Sequence, residues 1–461
     1  MKIKNIILLL VLLFSATVFS QTLSLKDAVD QGVANYGTVR AKAKYQAAAH
    51  ETVGQSKRDY LPNLNFSAQQ DYGTVNGQNG PLYGFGGLGV ASSGLPLDHQ
   101  NWNAAFGALY LVNVNWDFFT FGKIKQRINL SKADAVRAQK DLEQETFQHK
   151  VRISSAYLNL LASQRLLISQ TKNLDRAQVF QRLAAVRVKN GLLPGVDSTL
   201  ATAEVSRAQI ALNQIKDQVK EQNNKLVALM GVDIRDFVLD SAFVKQVPQS
   251  ILTLNTSNDS INPVLGFYKS RVDFGKQQLK SFRREYYPNF SLFGVFQTRG
   301  SGFNSDYATN QNSFTRSYWD GVDPTRQNYL VGVGVTWNLT SILRTDKKVS
   351  AQKLVADGLQ DEYDVVDQQL KTQSDAADTK IKLAMDNYAE APKQVAAAQQ
   401  AYRQKTTLYK NGLANLTDVT QAFYTLNRAE IDRDIIYANV WQSLLLKAAA
   451  TGNFELFINE F

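Results

Sequence analysis

The chain has 461 residues, no cysteine and a formal net charge of +10, a length that would permit two or three ordinary domains. Without cysteine there is no disulfide framework and no residue to carry an N-terminal lipid. A basic balance usually points to nucleic acid, but here the excess is concentrated on one long stretch, with Lys123, Arg137, Arg176 and Arg187 among its members, and reads as a solvated or subunit-facing helix surface.

At the N-terminus, an apolar run over 6–18 ends at Val18-Phe19-Ser20 and reads as a secretory signal peptide covering 1–20, which makes the mature protein an exported, non-lipidated chain. Export removes nucleic acid from the expected partners. The apolar run falls short of the roughly 20 residues a spanning helix needs, and no later stretch supplies them. Any membrane crossing must therefore use strands.

Residues 25–60 predict a helix, with Ser24 as N-cap and Pro62 as the stop. Leu64, Phe66, Ala68 and Tyr72 then alternate with Asn65, Ser67, Gln69 and Asp71, about the nine residues of a tilted strand crossing a bilayer. A Gly-, Ser- and Asn-rich loop over 73–103 follows. The second strand returns with Phe106, Ala108, Tyr110, Val112, Val114 and Trp116 on one face, completing a hairpin over 64–118. Trp116, Phe118, Phe119 and Phe121 cluster at its end, just before the long stretch from 123, as a girdle at a membrane interface would.

From 123 to 190 the chain holds no glycine and no proline, so an unbroken helix there would be roughly 100 Å long. Its apolar residues, such as Leu158, Leu161, Phe180, Leu183 and Val188, recur at a helical period and demand lateral packing against other helices. Asn190-Gly191-Leu192 supplies a left-handed C-cap and Pro194 prevents continuation. A return helix is expected over 197–230, then mixed elements over 232–260.

The same design recurs. Lys189-Asn190-Gly191-Leu192 returns as Lys410-Asn411-Gly412-Leu413, and at the same offset Asp197 meets Asp418, Arg207 meets Arg428, Gly231 meets Gly452 and Trp116 meets Trp337. Two structural repeats are expected, 21–260 and 261–461. The second reads as a helix, a hairpin over 290–339, a long helix over 345–411, a return helix over 416–451 and a short tail. Gly358 and Pro392 interrupt its long helix, and Pro392 is expected to kink or break it. Tyr329, Val331, Val333, Val335 and Trp337 share one strand face. Four strands cannot close a barrel, since single-chain outer-membrane barrels start at about eight, and lipid tolerates no open edge. Several copies must then share one barrel, and three would contribute twelve strands. Phe66, Tyr72, Tyr110, Trp116, Phe290, Tyr329 and Trp337 are the expected aromatic belt.

With the duplicated strand and helix units, the Tyr60-Leu61-Pro62-Asn63 and Tyr287-Pro288-Asn289 strand entries and the paired Asn-Gly-Leu turns in view, the sequence resembles the TolC-like outer-membrane efflux family. The resemblance implies a mainly α fold with membrane β: long antiparallel helices forming a trimeric α-barrel, and a twelve-stranded β-barrel shared by three chains. It implies the outer membrane of a Gram-negative bacterium with extension into the periplasm, and partners in a periplasmic adaptor, an inner-membrane pump and outer-membrane lipid. In such a homotrimer the periplasmic tip is a gate. The family's latch carboxylate falls on Asp197 and its latch phenol on Tyr409, while the arginine that strengthens the latch in some members falls on Ala414. Asp418 matches the first acid of the ring that narrows the tunnel, and Gln421 stands where the second acid would be. Asn190, Gly191, Leu192, Asn411, Gly412 and Leu413 match the adaptor-docking turns.

Catalytic chemistry is not indicated. His50, His99 and His149 lack second ligands at metal spacing. Gly84-Phe85-Gly86-Gly87-Leu88-Gly89 fits the letter of a dinucleotide fingerprint, but no strand precedes it and no helix follows, so it reads as a loop. No enzyme activity and no cofactor are expected. The expected function is the passive, tip-gated outer-membrane channel of a tripartite efflux or type I secretion system. The competing reading, a periplasmic coiled-coil adaptor or scaffold without a barrel, explains the helices but not the four alternating strands.

Overall fold

The computed structural model describes residues 22–77, 94–191, 194–241, 243–252 and 262–461. The expected signal peptide, the glycine-rich stretch at 84–89, Leu192 and the end of the 232–260 segment lie outside these. In order, the elements are α1 (Leu25–Asn35), α2 (Gly37–Arg58), β1 (Asn63–Thr74), β2 (Ala104–Phe119), α3 (Lys123–Lys189), α4 (Gly195–Met230), α5 (Gln249–Leu252), α6 (Pro263–Phe282), β3 (Asn289–Ser301), α7 (Tyr318–Val322), β4 (Arg326–Thr336), α8 (Ser341–Lys410), α9 (Leu416–Thr451) and α10 (Glu455–Ile458). They fall into two compact units, one from 22–49, Ala135–Asp273 and Asp357–Phe461, the other from His50–Asp134 and Phe274–Ala356. No described helix is long and apolar enough to cross a membrane.

The first unit is helical. Its core joins α1 (Leu25, Ala28, Val29), α3 (Ile153, Tyr157, Leu158, Leu161), α4 (Leu226, Met230), Leu239, α9 (Trp441, Leu444, Ala448) and Phe457. Gly32 lets α1 lie directly on α3, because a methyl group there would overlap the Ile153 side chain. A short backbone ladder closes the core on one side: Leu23 N–H donates to Val238 O (2.8 Å), and Asp240 N–H donates to Leu23 O (3.2 Å). The buried Tyr157 hydroxyl donates to Leu23 O at 2.7 Å, and its desolvation pushes the phenol well above its ordinary pKa.

The second unit is built on one antiparallel sheet in the order β1-β2-β3-β4. Its register places Phe66 opposite Val112, Val112 opposite Phe296, and Phe296 opposite Tyr329. Because side chains alternate along each strand, Leu64, Phe66, Tyr72, Val112, Phe296, Tyr329, Val331, Val333 and Val335 share one face, and all are exposed. Asn65, Ser67, Gln69, Asn113, Gln297 and Asn328 lie on the other. Apart from Gln70, Thr298 and Gln327 towards one end, this run of exposed apolar side chains across four strands is the opposite of what water-solvated sheets show.

Where strands meet helices, the two β-hairpins use the same clasp. Trp116 Nε1–H donates to Tyr60 O at 2.9 Å, and Trp337 Nε1–H donates to Tyr286 O at 3.1 Å. Each indole thus takes up a carbonyl left unpaired where the preceding helix gives way to its strand. Phe119, Phe121, Tyr287 and Phe290 pack ring to ring beside these clasps.

Several details differ from the sequence expectation. The helix over 25–60 is two helices, since Tyr36 adopts an extended conformation and stacks on the buried His149 at 3.8 Å. The side-chain contact outweighs one turn of helix. Pro392 lies inside α8 without interrupting it. Tyr388 packs on Tyr437 at 4.7 Å, and Ala398 packs on Leu426 and Ala429, so lateral contacts on both sides of the proline hold the helix in register despite one missing hydrogen bond. The fourth strand stops at Thr336 rather than 339. The long loop between β3 and β4 contains α7 and an aromatic cluster of Phe303, Tyr307 and Phe314.

Candidate functional site: the helical hairpin tips

Both long helices stop in the same way. Gly191 and Gly412 adopt φ of +71° and +77°, a left-handed conformation that glycine enters without a Cβ penalty. Gly191 N–H donates to Val188 O and Gly412 N–H to Tyr409 O, each at 3.0 Å. Asn190, Asn411 and Leu413 are exposed around these turns. The return helix α9 is capped by Asn415, whose side-chain oxygen accepts from Asp418 N–H at 2.8 Å, so the Asp418 carboxylate sits in the first turn, where the helix dipole favours it.

Beneath the turns lies an apolar plug of Tyr409, Leu416 and Val419, packed by Phe180, Leu183 and Tyr402. Tyr409 is fully buried, and its ring is 5.4 Å from that of Phe180. Its hydroxyl has no hydrogen-bond partner. Burial and the neighbouring Asp197 carboxylate raise the phenol above its ordinary pKa, while the Arg187 guanidinium pulls it back. Asp197 is therefore within electrostatic reach of Tyr409 without a hydrogen bond to it.

The polar bond across the tip comes from Arg187. Its Nη1–H donates to Tyr409 O, its Nη2–H donates to Lys410 O at 2.7 Å, and its guanidinium lies 5.2 Å from the Tyr409 ring centre. One guanidinium thus caps two carbonyls in the last turn of α8 from the last turn of α3 and fastens the two hairpins together. Lys405 Nζ lies 3.4 Å from the Asp418 carboxylate, with both side chains about half exposed, and Gln421 is exposed one turn further along α9.

Further along the helices the hairpins are joined by a polar ladder. Arg176 forks onto Glu430. Arg207 donates to the Tyr424 hydroxyl at 2.9 Å, and burial together with a hydrogen bond to Glu204 raises that phenol to about 12. The buried Asp434 carboxylate accepts from Ser169 at 2.7 Å and from Arg433. The sequence reading missed Arg187, Lys405 and this ladder. Arg176 and Arg187 show in the sequence only as members of the basic stretch along α3, because their partners lie on distant helices.

Of the aromatic belt residues, Trp116, Phe290 and Trp337 gather at the helix end of the sheet, Tyr72 and Tyr110 lie towards the other end, and Phe66 and Tyr329 stand on the apolar face with 72% and 83% exposure. Among the described residues no group of side chains has the make-up of a metal site.

No curated protein matches this chain. Solved structures do. The outer membrane protein VceC from Vibrio cholerae aligns over 93% of this chain and 96% of its own, with a TM-score of 0.72 at 16% identity. The Campylobacter jejuni CmeC outer membrane channel aligns over 93% and 85%, with 0.72 at 16% identity. The open state of the Neisseria gonorrhoeae MtrE outer membrane channel aligns over 93% and 88%, with 0.69 at 13% identity. At these identities the likeness establishes the fold: long helices with a four-stranded contribution to a β-barrel. The sequence adds a family match over part of its length: residues 29–232, from α1 to the end of the first return helix, match the model of the outer membrane efflux protein family.

Proposed function

We propose that the chain is the outer-membrane channel of a tripartite efflux or type I secretion system, a passive duct built by three copies and gated at its hairpin tips. The observation that carries this reading is the sheet of the second unit. Among the described residues its outer strands β1 and β4 each have one neighbour, and one face carries exposed apolar side chains on all four strands. Unpaired edges and an apolar face together are stable in a bilayer only if the sheet is continued by other copies until it closes. Three chains give twelve strands and a lumen lined by Asn65, Ser67, Gln69, Asn113 and Gln297. A scaffold without a barrel would leave that face in water.

On this reading the two sequence repeats, 21–260 and 261–461, each supply one hairpin of the barrel and one helical hairpin of a periplasmic duct. The leader directs export to the outer membrane of a Gram-negative cell, without lipidation. The turns at 190–192 and 411–413 meet a periplasmic adaptor, through which an inner-membrane pump supplies the energy. Arg187 and the Tyr409 plug hold the tip closed, and adaptor binding favours the open state by contacts the closed state lacks. Asp418, offset by Lys405 and followed by Gln421 rather than a second acid, makes a weakly charged constriction. Asp197 lies close enough to Tyr409 to take up its hydroxyl after a small rearrangement and act as a second fastener.

Cell fractionation with an unheated gel tests the reading. The protein should sediment with outer membranes and run as a large, heat-dissociable assembly; recovery in the soluble periplasm as a single chain would overturn it.

A further inference from the structure

The segment between β3 and β4 does not project freely from the end of the sheet. Gly302 N–H donates to Phe106 O at 2.8 Å, Thr315 N–H to Gly302 O at 2.7 Å and Thr325 N–H to Arg299 O at 3.0 Å, so the loop is tied to the outer ends of β2 and β3. Its short helix α7, capped by Ser317, is pressed onto β2 so closely that a Cβ on Gly321 would stand 2.5 Å from Phe106 O. Only glycine fits there.

The register decides which face α7 covers. Tyr318 donates to Gln70 Oε1 at 2.8 Å, Gln70 Nε2 donates to the Tyr110 hydroxyl at 2.9 Å, and the Phe106 and Tyr318 rings meet edge to face at 5.2 Å. Gln70, Tyr110 and Phe106 all lie on the apolar face, with Phe66 and Val112. The helix therefore sits on the outside of the sheet, not over the polar face that would line a lumen. Tyr72, Phe106, Tyr318 and Trp319 form a continuous row of ring contacts, and the row ends in Trp319, which is 77% exposed.

An outward row of aromatic rings, amphipathic at its Tyr and Trp members and continuous with an apolar sheet face, matches the headgroup layer of a bilayer rather than bulk water. We propose that the segment over 302–325 is a lipid-facing clasp that seats Tyr318 and Trp319 among the headgroups of the outer leaflet. The clasp rests on the reading of the sheet as part of an outer-membrane barrel, and it adds a contact that the strands alone do not make. Its position over the central strands β2 and β3 leaves the edges of β1 and β4 free for neighbouring copies.

The chain contains no cysteine, so single cysteines can carry nitroxide labels without background. Trp319→Cys, Val331→Cys on the apolar face and Ser305→Cys at the loop tip would be reconstituted in phosphatidylethanolamine and phosphatidylglycerol vesicles. Each label's accessibility to oxygen and to a water-soluble nickel chelate would then be read by power saturation. The clasp predicts an oxygen-to-nickel ratio at 319 severalfold above that at 305 and below that at 331. A ratio at 319 equal to that at 305, with 331 still in lipid, overturns the clasp and leaves the barrel standing. A water-exposed label at 331 overturns both.

Discussion

Replacing Arg187 with alanine removes two charge-assisted hydrogen bonds to Tyr409 O and Lys410 O together with the contact over the Tyr409 ring. Hydrogen bonds to charged groups contribute about 1.5–3 kcal/mol each when buried. The Tyr409 carbonyl is beside a buried plug, but the Lys410 end is open to water, so a net loss of about 2 kcal/mol per protomer is reasonable. If that loss falls on the closed state alone, each protomer's closed-to-open ratio drops by a factor of about 30. Single-channel recording in planar bilayers reads this directly, as a rise in mean conductance and in the fraction of time spent open. Arg187→Lys keeps the charge but not the planar fork, and should lie between wild type and alanine. Unchanged conductance in a correctly assembled Arg187→Ala channel would refute the assignment of Arg187 as the fastener.

Four further outcomes follow from the geometry. Lys405→Met unmasks Asp418 and should shift the reversal potential under a salt gradient towards cation selectivity; an unaltered potential removes Lys405 from the constriction. Asp434→Ala leaves Ser169 and Arg433 without their buried acceptor and should cost about 2–4 kcal/mol of stability in denaturant titration, whereas a loss below 1 kcal/mol would show the ladder to be incidental. His149 is fully buried against Tyr36, and desolvation, aided by Arg152, lowers its pKa below 6.5, opposed by Glu145 and the carbonyls of Gly32 and Leu229. The folded state thus binds this proton more weakly than the unfolded chain, so its contribution is present above pH 6.5 and is lost as pH falls from there through the lowered folded value; His149→Gln should flatten that slope in acid-unfolding curves. Val331→Lys places a charge on the apolar face and should lower assembly by about 2–4 kcal/mol near mid-bilayer, read as loss of the heat-dissociable band.

Much of the fold was legible because the bilayer and the long helix each impose a simple code. A two-residue period with aromatic ends marked β1 to β4, and the absence of Gly and Pro between 123 and 189 marked α3. Asn-Gly at 190–191 and 411–412 marked the tips, since a left-handed residue leaves few alternatives. The break at Tyr36 was hidden because its cause is a ring stack with a residue more than a hundred positions away. Pro392 misled for the opposite reason: its local penalty is real, but the packing of Tyr388 and Ala398 on α9 outweighs it. At the tip, Arg187 could be counted among the basic residues, yet its partners are main-chain carbonyls of another helix, and any sequence supplies carbonyls. Only the fold says which ones it meets. The fold inside the loop over 302–325 left no sequence signal, because the three phenylalanine and tyrosine rings that give it a core are too sparse to show a period.

The most direct test is the mass of the protein extracted from outer membranes, measured by light scattering with the detergent contribution removed. Three chains per particle is the predicted result, the smallest number that turns four strands each into a closed, lumen-bearing barrel. A particle of one chain, stable without detergent, would contradict it.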